Sequence, residues 1–163
     1  MDLKDFTVDT LLLAAIRSEI DSSVVYSALA GRVKNAMLKA RLVFLADEEK
    51  KHRQLLERIF TARFPGKTID PPETSEVPLP RITISDELMP LSEIFQMAMN
   101  GEKAAYEFYT HLSERFEEAD LRKILLYTAD MELGHFKILE MEKQNLEKFE
   151  EIDQYIPLIH VGP

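Results

Sequence analysis

Two stretches decide how this chain reads: 45-LADEEKKHRQLLE-57 and 128-TADMELGHFKILE-140. They share the pattern A-D-x-E-x-x-H-x-x-x-L-E at an offset of 83 residues. Extended without a gap, residues 15–57 against 98–140 hold 14 identities in 43 positions, far more than random pairing of this composition would give. The matches include Glu19 with Glu102, Tyr26 with Tyr109, Leu42 with Leu125, Glu49 with Glu132 and His52 with His135. Self-similarity at a fixed period marks a supersecondary unit used more than once. The chain reads as two copies of one unit, and a pseudo-two-fold axis follows.

That unit is a helical hairpin. Six of the eight prolines fall between residues 65 and 90, and the other two lie in the last seven residues. The proline-free stretches on either side of the middle are rich in Ala, Leu, Glu, Lys and Arg, which favour helix. Four helices are expected at 7–33 (N-cap Thr7 or Asp9), 35–64, 90–116 and 120–149. Pro65-Gly66 stops the second, and Pro90 suits the first turn of the third. Tight turns join helices one to two and three to four. The hairpins 7–64 and 90–149 thus make an all-α four-helix bundle in residues 1–149, with a crossover at 65–89 and a C-terminal tail at 150–163. A crossover of that length lets helices two and three run parallel. Ile82 to Ile84 could add a short extended piece, and the tail is expected to leave the helix after Ile156.

Glu19 shares a face with Leu12, Ile16, Tyr26 and Leu29; Glu49 and His52 share one with Leu38, Leu42, Leu45 and Leu56. Glu102, Glu132 and His135 occupy the equivalent stripes. Each glutamate lies 15 residues from its hairpin turn, about 22 Å at 1.5 Å per residue, so the four carboxylates converge at one depth. Burying them without counter-charge is prohibitive, because desolvation and like-charge repulsion add. No Lys or Arg recurs on those stripes. Two divalent cations balance four carboxylates, and carboxylate with imidazole suits iron or manganese better than zinc. The alternative is a bundle with satisfied polar layers and no metal.

The arrangement resembles the ferritin-like superfamily and, within it, the rubrerythrin-like diiron-carboxylate proteins. Such bundles take a Glu from each of two helices and Glu-x-x-His from each of the other two. AIRSE, ending at Glu19, and GEKAAYEFY, beginning at Gly101, resemble helices one and three of that family. ADEEKKH and ADMELGH resemble helices two and four. The resemblance implies a ferritin-like bundle with two iron ions per chain, manganese or a mixed pair being alternatives. It implies that Glu49 and Glu132 bridge the metals, that Glu19 and His52 complete one, and that Glu102 and His135 complete the other. A homodimer and an external electron donor, such as a rubredoxin-like protein, are implied as well. There are departures. The sequence has no cysteine for a rubredoxin-type centre. The additional glutamate of rubrerythrin, three residues after the helix-three ligand, is Ala105 here, and its repeat mate is Ser22. Lys50 stands where a bacterioferritin would carry its haem methionine.

Around this constellation, Tyr26 and Tyr109 are the candidate catalytic residues. They either bond a ligand glutamate, quench a radical, or are core aromatics with satisfied hydroxyls; Tyr106 is a weaker version of the same idea. Asp47 and Asp130 either orient a histidine of another helix or form ion pairs. Glu48 has no counterpart, since its repeat mate is Met131. Gly101 and Gly134, with mates Ser18 and Lys51, signal close helix packing or unequal surroundings for the two metals. His111 is read as a surface residue, and His160 as part of a solvated terminus. The charge runs 47–53 and 140–151 are read as solvated helix faces.

Net charge is −9, which argues against a nucleic-acid partner. The absence of cysteine excludes disulfides, thiolate metal sites and thiol nucleophiles. The opening MDLKDFTVDT is acidic and mixed, so no signal peptide is expected. The apolar run at 11–16 is too short to span a membrane. A cytoplasmic protein is expected. Three functions compete: reduction of hydrogen peroxide or dioxygen with electrons from an external carrier, ferroxidation with iron storage, or a structural bundle without catalysis.

Overall fold

The computed structural model of the chain describes residues 3–79 and 89–155. Its helices are α1 (Val8–Arg32), α2 (Ala36–Arg63), α3 (Leu91–Ser113) and α4 (Ala119–Tyr155), with no strand among the described residues. Local chemistry sets most of their ends. Thr7 is the N-cap of α1 and accepts from the Thr10 amide at 3.5 Å. Asn35 caps α2 more fully, accepting from the amides of Met37 and Leu38 at 2.9 and 3.1 Å. At the far end of α2, Pro65 cannot extend the helix. Gly66 then turns the chain at φ 86°, where a side chain would be strained.

Two boundaries differ from the sequence reading. Helix α3 stops at Ser113 rather than near 116. Its end tightens, with Arg115 and Phe116 amides bonded three residues back to Leu112 and Ser113 at 3.0 and 3.4 Å. That turn drops Phe116 into the core. Helix α4 continues to Tyr155 rather than ending at 149. Nothing between 141 and 156 breaks it, because no Pro or Gly occurs before Pro157. The extended piece expected at 82–84 and the departure from helix after 156 lie outside the described residues.

Cross-helix contacts establish the topology. From α2 to α4, Arg41 meets Glu142 and His52 meets Glu132, and Arg63 meets Glu118 just before α4. Numbers rise on one helix as they fall on the other, so these helices are antiparallel. Since α3 and α4 form a hairpin, α2 and α3 run parallel, as the long crossover allows. Tyr26 with Glu102 and Tyr109 with Glu19 establish the same antiparallel relation for α1 and α3.

The core falls into two apolar clusters. One holds Leu12, Ile16, Leu56, Phe60, Phe108 and Leu125. The other holds Leu29, Leu42, Leu45, Phe95, Ala98 and Leu139. The crossover seals the first, burying Val77 and packing Ile69 and Leu79 against it. The repeat-matched Arg32 and Arg115 hold the entries to the hairpins. Arg32 donates to the Met89 carbonyl at 2.8 Å, just before α3. Arg115 donates to the carbonyls of Leu3 and Phe6, just before α1. No described helix is long and apolar enough to cross a membrane.

Lys67 in the crossover reaches Asp9 in the first turn of α1 at 2.6 Å. The Lys67 ammonium and the Thr7 hydroxyl lower the Asp9 carboxyl to about 2. A depressed carboxylate stabilises above its unfolded pKa of about 3.9 and loses that contribution as pH falls through the folded value. Urea unfolding should therefore show Asp9→Asn less stable than the parent at pH 6, by up to about 1 kcal/mol for a partly exposed pair. The two proteins should converge as pH falls from about 4 to about 2; a gap that persists at pH 2 would count against this contact.

Candidate metal centre

Between the two apolar clusters lies a buried layer of six ionisable side chains. Glu19 comes from α1, Glu49 and His52 from α2, Glu102 from α3, and Glu132 and His135 from α4. All six are buried. The Glu-x-x-His spacing puts both groups of a helix on one face, a turn apart.

The layer follows the pseudo-two-fold atom by atom. His52 Nδ1 lies 2.8 Å from Glu132 Oε1, 3.3 Å from Glu49 Oε2 and 3.7 Å from Glu19 Oε2. His135 Nδ1 lies 3.2 Å from Glu49 Oε1, 3.2 Å from Glu132 Oε2 and 3.7 Å from Glu102 Oε2. Glu49 and Glu132 each turn one oxygen to His52 and the other to His135. Glu19 faces the His52 half, and Glu102 the His135 half. The imidazole rings lie 5.5 Å apart, tilted by 21°.

Two groups of donor atoms could each hold a metal ion. One is Glu19, Glu49, His52 and Glu132; the other is Glu49, Glu102, Glu132 and His135; each set lies within 4.8 Å. Despite their short separations, the buried Glu49 Oε1, Glu132 Oε1, His52 Nδ1 and His135 Nδ1 make no directed hydrogen bond. Buried polar atoms in a native fold are almost always paired. Atoms that approach each other without hydrogen-bond direction, around common centres, have the geometry of ligands. The residues present fit a pair of divalent cations, and the cluster suggests a dimetal site.

The electrostatics agree. Burial raises Glu19 and Glu102 well above the usual carboxylate range, and the charges of Glu49 and Glu132 add to this. Burial also opposes ionisation of Glu49 and Glu132, but their contacts with the histidines outweigh it and hold both low. Burial opposes the imidazolium forms too, yet the surrounding carboxylates outweigh it. His52 is raised, with Glu132 its main partner, and His135 is raised to about 12, with Glu102 first among its partners. The layer's own charges thus favour cation at its centre.

Tyr26 and Tyr109, fully buried, bond carboxylates of this layer, and each does so across the hairpins. Tyr26 of α1 donates to Glu102 of α3, and Tyr109 of α3 donates to Glu19 of α1. Burial and the neighbouring glutamates push both phenols up and keep them protonated. Other candidates stand apart from the layer. Tyr106 packs against the first apolar cluster. Asp47 is exposed and pairs with Lys50 at 2.8 Å, and Asp130 is exposed. His111 is half-buried rather than a surface residue, its Nδ1 2.7 Å from the Glu107 carbonyl oxygen. Close packing does not explain Gly134, because a Cβ there would meet no atom within 4 Å. His160 lies outside the described residues.

One ion pair with a buried carboxylate escaped the sequence reading. Glu142, in a run read as solvated, is 7% exposed and paired with Arg41 of α2. The signal was present: Glu142 falls between Leu139 and Leu146 on the apolar stripe, and Arg41 adjoins Leu38, Leu42 and Leu45.

A four-helix bundle of two hairpins, with a carboxylate and imidazole layer at mid-depth, is a ferritin-like diiron-carboxylate architecture. The family model for rubrerythrin matches residues 10–143, and the chain belongs to the rubrerythrin family. Among solved structures, a hypothetical protein of Pyrococcus furiosus superposes with a TM-score of 0.81 at 34% identity. That alignment covers 91% of this chain and 95% of the other. A proposed ferritin-like diiron-carboxylate protein of Thermotoga maritima superposes with a TM-score of 0.71 at 20% identity, covering 85% and 95%; at that identity the likeness is one of fold. No curated protein matches the sequence.

The repeat makes a test of the Arg41–Glu142 pair. Its repeat-equivalent positions are Ile124 and Ile59. Arg41→Ile alone should strand a buried carboxylate and cost about 2 kcal/mol or more in urea unfolding. Arg41→Ile with Glu142→Ile should recover most of that loss. Equal losses for the single and double variants would show that the pair contributes only packing.

Proposed function

We propose that this protein is a diiron redox protein that reduces hydrogen peroxide or dioxygen with electrons from an external one-electron carrier. The observation that carries the reading is the division of Glu49 and Glu132, each with one oxygen toward His52 and the other toward His135. In this reading Glu49 and Glu132, which belong to both donor groups, would hold both iron ions. Glu19 and His52 complete one position, and Glu102 and His135 the other. Iron held there in its reduced form would supply the two electrons that, with two protons, reduce hydrogen peroxide to two waters.

The chain's own residues shape the conditions for that chemistry. Antiparallel helices fix the separation of the two donor sets. The apolar clusters on both sides exclude bulk water, so charge interactions within the layer are strong. Tyr26 and Tyr109 restrain the terminal carboxylates and hold protons at the edge of the site. Ala105, in place of the glutamate the family resemblance leads one to expect, leaves that position without a carboxylate. The 163 residues hold no cysteine, so none of them can ligate a rubredoxin-type centre, and the donor in this reading is an external carrier such as a rubredoxin-like protein. A homodimeric, cytoplasmic protein completes the proposal.

Elemental analysis of protein purified without added metal or chelator should give two iron atoms per chain, one for each donor set. Glu49→Ala combined with Glu132→Ala should abolish that content; stoichiometric metal in the double variant would remove the bridging assignment. Iron taken up far beyond this stoichiometry, in a particle far larger than a dimer, would replace the redox reading by ferroxidation and storage.

Tyr26→Phe and Tyr109→Phe should keep the metal but slow oxidation of the reduced protein by peroxide, on the order of tenfold each, as loss of a ligand's outer partner does. Unchanged rates in stopped-flow spectroscopy would reduce both tyrosines to core packing.

A further inference from the structure

The recurring Asp47 and Asp130 have no part in the central layer, and they mark a surface. Exposed residues of α2 have mostly diverged from their repeat mates on α4: Lys50 is matched by Leu133, Arg53 by Phe136 and Arg58 by Met141. Three outward positions keep their character, namely Phe44 with Tyr127, Asp47 with Asp130, and Leu55 with Ile138. Near-helical spacing puts each set on one side of its helix, turned away from the ligands. Phe44 is 50% exposed and Tyr127 67%, so nothing inside the bundle explains why an aromatic recurs there.

The two helices lie side by side and antiparallel, so the pseudo-two-fold passes between them, perpendicular to their outer face. Arg41 opposite Glu142 and His52 opposite Glu132 set the register. Phe44 is therefore level with Ile138 and Met141, and Tyr127 with Leu55 and Ile59. Between these apolar ends the face holds Lys51 on α2 and its repeat mate Gly134 on α4. Glycine weakens a helix interior, and the bundle does not require one here, because a Cβ would meet no atom within 4 Å. Its bare backbone admits close approach from outside.

Size, charge and shape fit this face to a second copy. Helix α2 has 28 residues, so the face is about 40 Å long and, for two helices, about 20 Å wide. That is about 800 Å², the area each partner of a specific dimer buries. A net charge of −9 opposes association of two copies elsewhere on the surface. Here Asp47, Glu48 and Glu142 are paired with Lys50, Lys51 and Arg41 of the same chain.

We infer that two copies of the chain associate through the outer face of α2 and α4, with α2 of each lying on α4 of the other. A two-fold parallel to the helices brings Phe44 of one copy onto Ile138 and Met141 of the other, and Tyr127 onto Leu55 and Ile59. The Lys51 stem passes over Gly134, with its ammonium toward Asp130. Pairing α2 on α2 instead would set two Lys51 ammoniums together near the axis and leave two glycines facing a void. The inference rests on the homodimer of the reading above and not on its metals.

Sedimentation velocity of the full chain, from about 1 to about 100 μM, should show a dimer with a dissociation constant near micromolar or tighter. Phe44→Glu with Tyr127→Glu should weaken it by about a hundredfold or more. Val24→Glu, at an exposed apolar position on α1, should leave it unchanged. Lys51→Glu should weaken the dimer by about tenfold, and Lys51→Glu with Asp130→Lys should restore it. Lys51 is exposed, so this pair carries the test even if the double glutamate variant loses helix. A dimer that survives both Phe44→Glu with Tyr127→Glu and Lys51→Glu would overturn the face and leave the homodimer. So would an equal loss in Val24→Glu, or a Lys51→Glu loss that Asp130→Lys does not restore. A monomeric parent would remove the homodimer as well and give the face to a different protein; neither result alters the metal content expected above.

Discussion

The structure depends on one constraint: four carboxylates and two imidazoles share a layer at the centre of the bundle. Isolated charges in such a place are costly, because desolvation and mutual repulsion both oppose them. The layer divides the apolar core into two clusters, so each hairpin must be anchored on both sides of its own polar step. The large buried side chains do this, with Phe60 and Phe108 on one side and Phe95 on the other. Tyr26 and Tyr109 connect the clusters to the layer, with rings in the core and hydroxyls on Glu102 and Glu19. A site that opposes folding when metal-free is thus held by an apolar frame that does not need it.

Two-fold pseudo-symmetry makes this arrangement economical. One hairpin supplies a lone glutamate and a Glu-x-x-His pair, and the second copy completes the set. The same operation relates Arg32 to Arg115, which hold the segments before α3 and α1. It fails where the two copies have diverged. At one end of the α2–α4 seam, the partly exposed Arg41 pairs with the buried Glu142; at the other, their equivalents are Ile124 and Ile59. The ion pair adds directional contact between α2 and α4, whereas Ile59 packs against the first apolar cluster and Ile124 is exposed. Divergence is tolerated there because neither pair touches the layer.

Most of the fold was legible because its signals are local. Thr7 and Asn35 cap helices, Pro65-Gly66 ends one, and the 83-residue repeat implies how the hairpins pair. The convergence of Glu19, Glu49, His52, Glu102, Glu132 and His135 was legible from stripe and depth together. What escaped depended on tertiary detail. Sequence could say that Tyr26 lies near a carboxylate, but the choice of the opposite hairpin's Glu102 follows from antiparallel packing of α1 on α3. Glu142 looked like one charge in a solvated run until Arg41 was found across the seam. Helix α3 ends early because burial of Phe116 outweighs continuation, a competition that no propensity reveals.

The two kinds of departure from symmetry bear differently on chemistry. Changes at the ends of the seam alter how the hairpins adhere and leave the ligand geometry alone. Changes at Glu48 and Lys51 on α2, matched by Met131 and Gly134 on α4, fall on the turns that carry His52 and His135, so the two histidines have different neighbours. The repeated hairpin supplies identical ligands, and the unmatched residues beside them give each half its own environment.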